Sequence, residues 1–278
     1  MKRLIAGLTG IVLAGLVGIA ARADTLTWTG MTGDWFAVEN WTNTTAPEST
    51  RVPAAGDEAV VNAAGAEVWL TDSTERLGSL EIASAKLVFS NWDTLLSATG
   101  ITVKAGGVLT CSGPFTNGAV SNRVNLLCTN LLIEAGGAID VQAKGYSGGL
   151  TTNTGGYAKG HGPGALSSGS ASHGGMGLLK SFVIPSNTYG EAEAPLFPGS
   201  GGAGGNRVNE YGGHGGGAVR IEAVDVVVNG AINADASLNP FPLNGVHSCG
   251  GSGGSVYITC ETISGAGSVT ARGGHACL

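Results

Sequence analysis

Asp140, Asp235 and Arg272 are the residues of this chain whose types and spacing come closest to those of a polysaccharide-cleaving site. Aligning Ile221 with Ile258 sets Asp235 opposite Arg272 and Asn233 opposite Thr270, with Asp140 at the matching place on the preceding repeat. Strands stacked about 4.8 Å apart would bring Asp235 and Arg272 into salt-bridge range. Acid–base cleavage of a glycosidic bond needs two carboxyl groups about 5 to 9.5 Å apart, and here one carboxylate stands beside a base. The expectation is a surface ion pair.

Other motifs carry less. Gly250–Gly254 reads GGSGG, the GxSxG pattern of a nucleophilic serine, and Gly199–Gly204 reads GSGGAG, the GxGxxG pattern of a dinucleotide loop. Neither stands between a strand and a helix, which is the context that gives those patterns their chemistry. Glycine-rich sequence produces both by accident. His161, His173, His214, His247 and His275 lie in glycine-rich loops without metal-ligand spacing, so solvated histidines are expected. No cofactor and no metal are expected. Aromatic faces that could stack on a sugar are Trp28, Trp35, Trp41, Tyr189, Phe197 and Tyr211, with His214 beside the last. These are the candidate binding residues.

The elements that position them repeat. Val219–Asp235 aligns without a gap with Val256–Arg272, each reading strand, glycine turn, strand. Earlier units follow the same plan: Ala59–Val61 with Glu67–Leu70, Leu80–Ile82 with Lys86–Phe89, Ile101–Val103 with Gly107–Thr110, and Leu131–Ile133 with Ala138–Val141. Their turns fall near residues 65, 85, 106 and 136, a period of about 21 residues that widens to about 30. A unit too small to bury its own apolar face must stack on copies of itself. The fold class expected is therefore all-β: a right-handed parallel β-helix, pectin-lyase-like, with a long Gly-rich loop insertion. Leu109, Ile139, Ile232 and Val269 would form an inward aliphatic ladder, and Thr110, Asp140, Asn233 and Thr270 would face out.

Five segments result. Residues 1–23 read as a signal peptide, with Lys2 and Arg3, an apolar run from Leu4 to Ala20, and Ala21-Arg22-Ala23 as the cleavage site before Asp24. Residues 24–58 form a Trp-rich N-terminal cap, 59–144 a first set of rungs, 145–217 the Gly-rich insertion, and 218–278 the remaining rungs. The insertion contains Gly-Gly-x triplets, and a three-residue period is that of polyproline II, so extended strands packed on the side of the rungs are expected. Cleavage would leave 11 basic against 20 acidic residues, an excess of nine negative charges. Nucleic acid and anionic membrane surfaces are excluded as partners on that balance. An oxidising destination permits disulfides, and Cys249 with Cys277, both in glycine-flanked loops, are the candidate pair; Cys128 and Cys260 fall at apolar positions.

Trp28-x-Gly30, Gly33-Asp34-Trp35 and Asn40-Trp41 before Pro53 and Asp57, Tyr189-Gly190 through Pro198-Gly199-Ser200-Gly201-Gly202, Gly215–Ile221 and Gly253–Ile258 together resemble secreted bacterial glycine-rich parallel β-helix proteins, of the autotransporter-passenger or adhesin-like kind. The resemblance implies an exported structural or adhesive surface protein without catalysis, placed outside the cell, on its surface or in the periplasm. Its partners would be extracellular polysaccharide or surface protein. The alternative is a carbohydrate-active enzyme, a polysaccharide lyase or glycoside hydrolase, on the same fold. Because Leu278 follows a rung closely, the chain reads either as a fragment or as one whose open end self-associates.

Overall fold

A computed structural model describes residues 23–116, 122–153, 155–177, 188–237 and 248–275. The expected leader up to Arg22, His247 and Cys277 lie outside the described residues, as does the apolar run Phe182–Pro185. Within them the chain is all-β, with a single 3-10 turn at Val38–Asn40 and no helix long and apolar enough to cross a membrane.

The strands divide between two sheets. One sheet takes β1 (Thr25–Trp28), β3 (Trp41–Asn43), β4 (Glu58–Val61), β6 (Leu77–Ile82), β8 (Leu96–Val103), β10 (Val124–Ile133), β12 (Ala218–Glu222), β13 (Asp225–Val228), β15 (Ser255–Thr259) and β16 (Thr262–Ser264). The other takes β2 (Thr32–Asp34), β5 (Glu67–Leu70), β7 (Lys86–Phe89), β9 (Val108–Cys111), β11 (Ala138–Asp140), β14 (Ala231–Asn233) and β17 (Ser268–Thr270). From β4 onward the chain visits the first sheet, turns, and visits the second. Five of the six turns between them carry a residue of positive φ, Gly65, Gly106, Gly136 and Gly265 with Ser84 as the one non-glycine, while the turn at Asn229-Gly230 has none.

Parallel pairing stacks each repeat on the next in one register. In the first sheet Ala59, Leu80, Ile101, Leu131, Val226 and Ile263 are successive partners. In the second, Val68, Leu87, Leu109, Ile139, Ile232 and Val269 are. All are buried except those of the last repeat, where Ile263 is 56% and Val269 47% exposed. β10 runs unbroken, while its partner is split at Ala223-Val224 into β12 and β13. Thr110, expected to face out, is buried instead, because its hydroxyl donates to the Asp140 carbonyl of the next strand at 2.6 Å.

At the N-terminal end β3 runs antiparallel to β1, the one antiparallel strand pair among the described residues. Trp28, Trp35 and Trp41 are buried there edge to face, with ring centroids 5.3 and 4.7 Å apart. Only Trp41 finds a partner for its indole N–H, the Trp35 carbonyl at 2.7 Å; those of Trp28 and Trp35 find none.

The glycine-rich segments fold against one another rather than along the side of the sheets. Gly199 N–H donates to Gly216 and Gly202 N–H to Gly213; Gly213 N–H donates to Cys249 and Gly216 N–H to Ser252, all at 2.8–3.0 Å. Tyr146 and Gly149 likewise donate to Gly199 and Gly202, and Gly201 and Gly204 to His161 and Ala158. Every series steps by three residues, the period of polyproline II, whose backbone has no internal hydrogen bonds and must find partners elsewhere. Approach is so close that a Cβ on Gly201 or Gly212 would fall within 3.0 Å of a backbone carbonyl oxygen. Ser248–Gly254 belongs to this bundle too, so the region from residue 218 onward is not made of repeats alone.

Candidate functional site

The sequence-derived catalytic trio does not converge on a reaction centre. One Asp140 carboxylate oxygen accepts the Gln142 N–H at 3.0 Å, a local turn bond. Asp235 accepts the backbone N–H of Arg272 at 2.6 Å, and no ion pair forms between their side chains. That corrects the expected salt bridge: the register places Asp235 opposite the main chain of Arg272, whose side chain extends into solvent.

The two glycine motifs are structural. Ser252 is buried, and its hydroxyl accepts the Ser200 N–H at 2.8 Å, tying two segments of the bundle. In Gly199–Gly204, the N–H groups of Gly199, Gly201, Gly202 and Gly204 all donate to protein carbonyls, so none is left to cradle a phosphate. No cluster of three or more His, Cys, Asp or Glu side chains able to hold a metal ion occurs among the described residues.

Of the histidines expected in solvent, His173 is buried and His214 half-buried. His214 Nδ1 accepts the Gly148 N–H at 3.0 Å, and burial pushes its pKa down. His173 Nδ1 faces the Gly253 carbonyl at 3.0 Å; burial lowers its pKa too, against the opposing pull of its backbone hydrogen bonds. Sequence reasoning missed His173 because Ser172-His173-Gly174-Gly175 marks only a loop, whereas its partner lies eighty residues on.

Among the aromatic candidates, Trp28, Trp35 and Trp41 are fully enclosed and present no face to a ligand. Tyr211 is exposed beside Leu150, its partner in an isolated antiparallel bridge. Tyr189 and Phe197 come together edge to face at 6.5 Å, and the Tyr189 ring lies 4.6 Å from that of His173. The Tyr189 hydroxyl donates to the Pro198 carbonyl at 2.6 Å and accepts from Ser200 at 2.9 Å, so the ring is locked in place. Burial raises its pKa far above the usual tyrosine range.

His173 and Tyr189 form part of a cleft of about 660 Å³ where the glycine bundle meets the last repeat. Met176 and Glu191 line it on the insertion side, Gly253 and Gly274 on the other. One wall is thus aromatic and fixed, and the other is main chain, rich in hydrogen-bonding groups. Such a cleft suits a ligand with hydroxyls and a flat apolar face. It holds no carboxylate pair arranged for acid–base cleavage. Cys249 is disulfide-bonded, whereas Cys111, Cys128 and Cys260 are free thiols; Cys277, the other member of the expected pair, lies outside the described residues. The chain matches no family model, no curated protein and no solved structure.

Proposed function

We propose that this chain is an exported structural or adhesive surface protein built on a right-handed parallel β-helix, which binds glycan or surface protein at the junction between its glycine bundle and its last repeat. The observation carrying this reading is the cleft between His173–Tyr189 and Gly253–Gly274, which offers shape and hydrogen bonds without a reacting pair. In-register stacking of strand–turn–strand units supports the β-helix, since from β4 onward every repeat contributes to both sheets, the last two with their first-sheet strand split in two. A rigid rod of that kind keeps its lateral surfaces fixed with little entropy left to lose on binding.

The test uses a cleft-blocking substitution. A Cβ on Gly175 meets nothing within 4 Å, so Gly175→Trp fills the cleft without displacing the backbone. Affinity electrophoresis in gels containing neutral or acidic polysaccharides, and binding to immobilised cell-surface protein, are expected to show retention that Gly175→Trp abolishes. Product release from any polysaccharide, lost on Asp235→Ala or Arg272→Ala, would overturn the reading in favour of an enzyme.

A further inference from the structure

Arg51 joins two carboxylates at the N-terminal edge of the first sheet. Its guanidinium donates to Asp24 at 2.9 Å and, through both terminal nitrogens, to Asp57. The Asp57 side chain is 3% exposed and also accepts the N–H of Ala54 at 2.8 Å. The backbone nitrogen of Asp24 donates to Asp57 Oδ1 at 3.0 Å. Asn43 adds a neutral bond to Asp24 at 2.9 Å, and Glu58, held by the hydroxyl of Thr25, is exposed nearby. The buried group therefore holds one positive charge against two negative ones. A second cation is missing at the place where the Asp24 nitrogen sits.

We infer that Asp57 is a receptor for the α-ammonium group released when the Ala23–Asp24 bond is cut, so that export processing locks the tryptophan cap. This rests on the reading of residues 1–23 as a signal peptide. Ala23 is exposed, leaving the bond open to a membrane-bound signal peptidase. Water adds to the Ala23 carbonyl carbon, Ala23 leaves as a carboxylate, and the Asp24 nitrogen takes up a proton to become –NH3⁺. The new charge forms within hydrogen-bond distance of Asp57 Oδ1, without any movement of the chain. Two cations then face two carboxylates. Ion pairs lacking one partner are costly when buried, and completing them removes that cost. Arg51, with the N–H groups of Ala54 and Asp24, already holds Asp57 below the ordinary carboxylate range against the burial that pushes it up. Its carboxylate is thus ionised and ready at neutral pH.

The full chain is expressed for export in a bacterial host and its N-terminus read by mass spectrometry. Competitive labelling then measures the α-amino pKa, which is expected to rise by at least about one unit above the 7.7–8.0 of a free terminus. Acetylating that amine is expected to lower the melting temperature by about 2–4 °C, and to have no such effect in Asp57→Asn. An ordinary α-amino pKa with no effect of acetylation overturns the pairing even if cleavage occurs at Ala23–Asp24. An N-terminus elsewhere overturns the processing reading; the same titration on a chain made to begin at Asp24 then decides the pairing by itself.

Discussion

Ile139 and Val269 occupy the same place in successive stacked repeats, yet truncating them is expected to have very different costs. Ile139 is completely buried between Leu109 and Ile232, its register partners on either side. Ile139→Ala removes three carbons worth about 0.8 kcal/mol each in transfer, and the cavity left between two fixed strands brings the total to about 3–4 kcal/mol. Val269 has a partner on one side only, Ile232, and is 47% exposed. Val269→Ala removes two carbons from a site about half in water, a loss of about 0.8 kcal/mol with no closed cavity. Thermal melts followed by far-ultraviolet circular dichroism should show decreases of about 6–16 °C and no more than about 3 °C respectively. Equal losses would refute the stacking register, because they would require Val269 to be covered as fully as Ile139. So would a negligible effect of Ile139→Ala.

Three further outcomes are expected. Gly201→Ala, whose Cβ would strike backbone, should destabilise by at least about 1–3 kcal/mol, whereas Gly156→Ala, with open space around it, should be close to neutral in the same urea titration. His173 and His214 are held below the ordinary histidine pKa by burial. Their contribution to stability is therefore full above about pH 6.5 and is lost as the pH falls through their folded values. Melting temperature should drop between pH 7.5 and 5, less so in His214→Asn; a rise on acidification would contradict the burial. Burial pushes the thiols of Cys111 and Cys128 up to about 12 and about 11. Of the three free cysteines, iodoacetamide should modify Cys260, which is half-buried, first in the native protein at pH 8; peptide mass spectrometry reads the order.

The repeats were legible because side-chain periodicity is local: the alternation in Val226–Val228 and Ile263–Ser264 marks the same face twice, and the observed register pairs them as aligned. Turn position was legible for the same reason, glycine marking the positive-φ residue in four of the six turns from β4 onward. What each carboxylate does was not. Asp235 and Arg272 were correctly set opposite each other, but sequence does not say whether side chain or main chain answers, and the main chain does. The tryptophans were misread as sugar-stacking faces, because the same large rings that could meet a ligand can pack on one another, and all three are enclosed. The glycine bundle was half legible. Its period could be read, but its partners in the three-residue series are other glycine segments that lie anywhere from 11 to 53 residues away, and identical residues carry no mark of which neighbour they meet.

The three-residue stepping of those hydrogen bonds constrains how the insertion can change in length. Adding or removing one or two residues within a bundled segment would rotate every later glycine away from the facing carbonyl and drive a side chain into it. A change of three restores the facing. Length variation in this region should therefore be quantised in triplets, and since the third positions Ser200, Ala203, Cys249 and Ser252 are themselves buried, the central segments tolerate only small residues there.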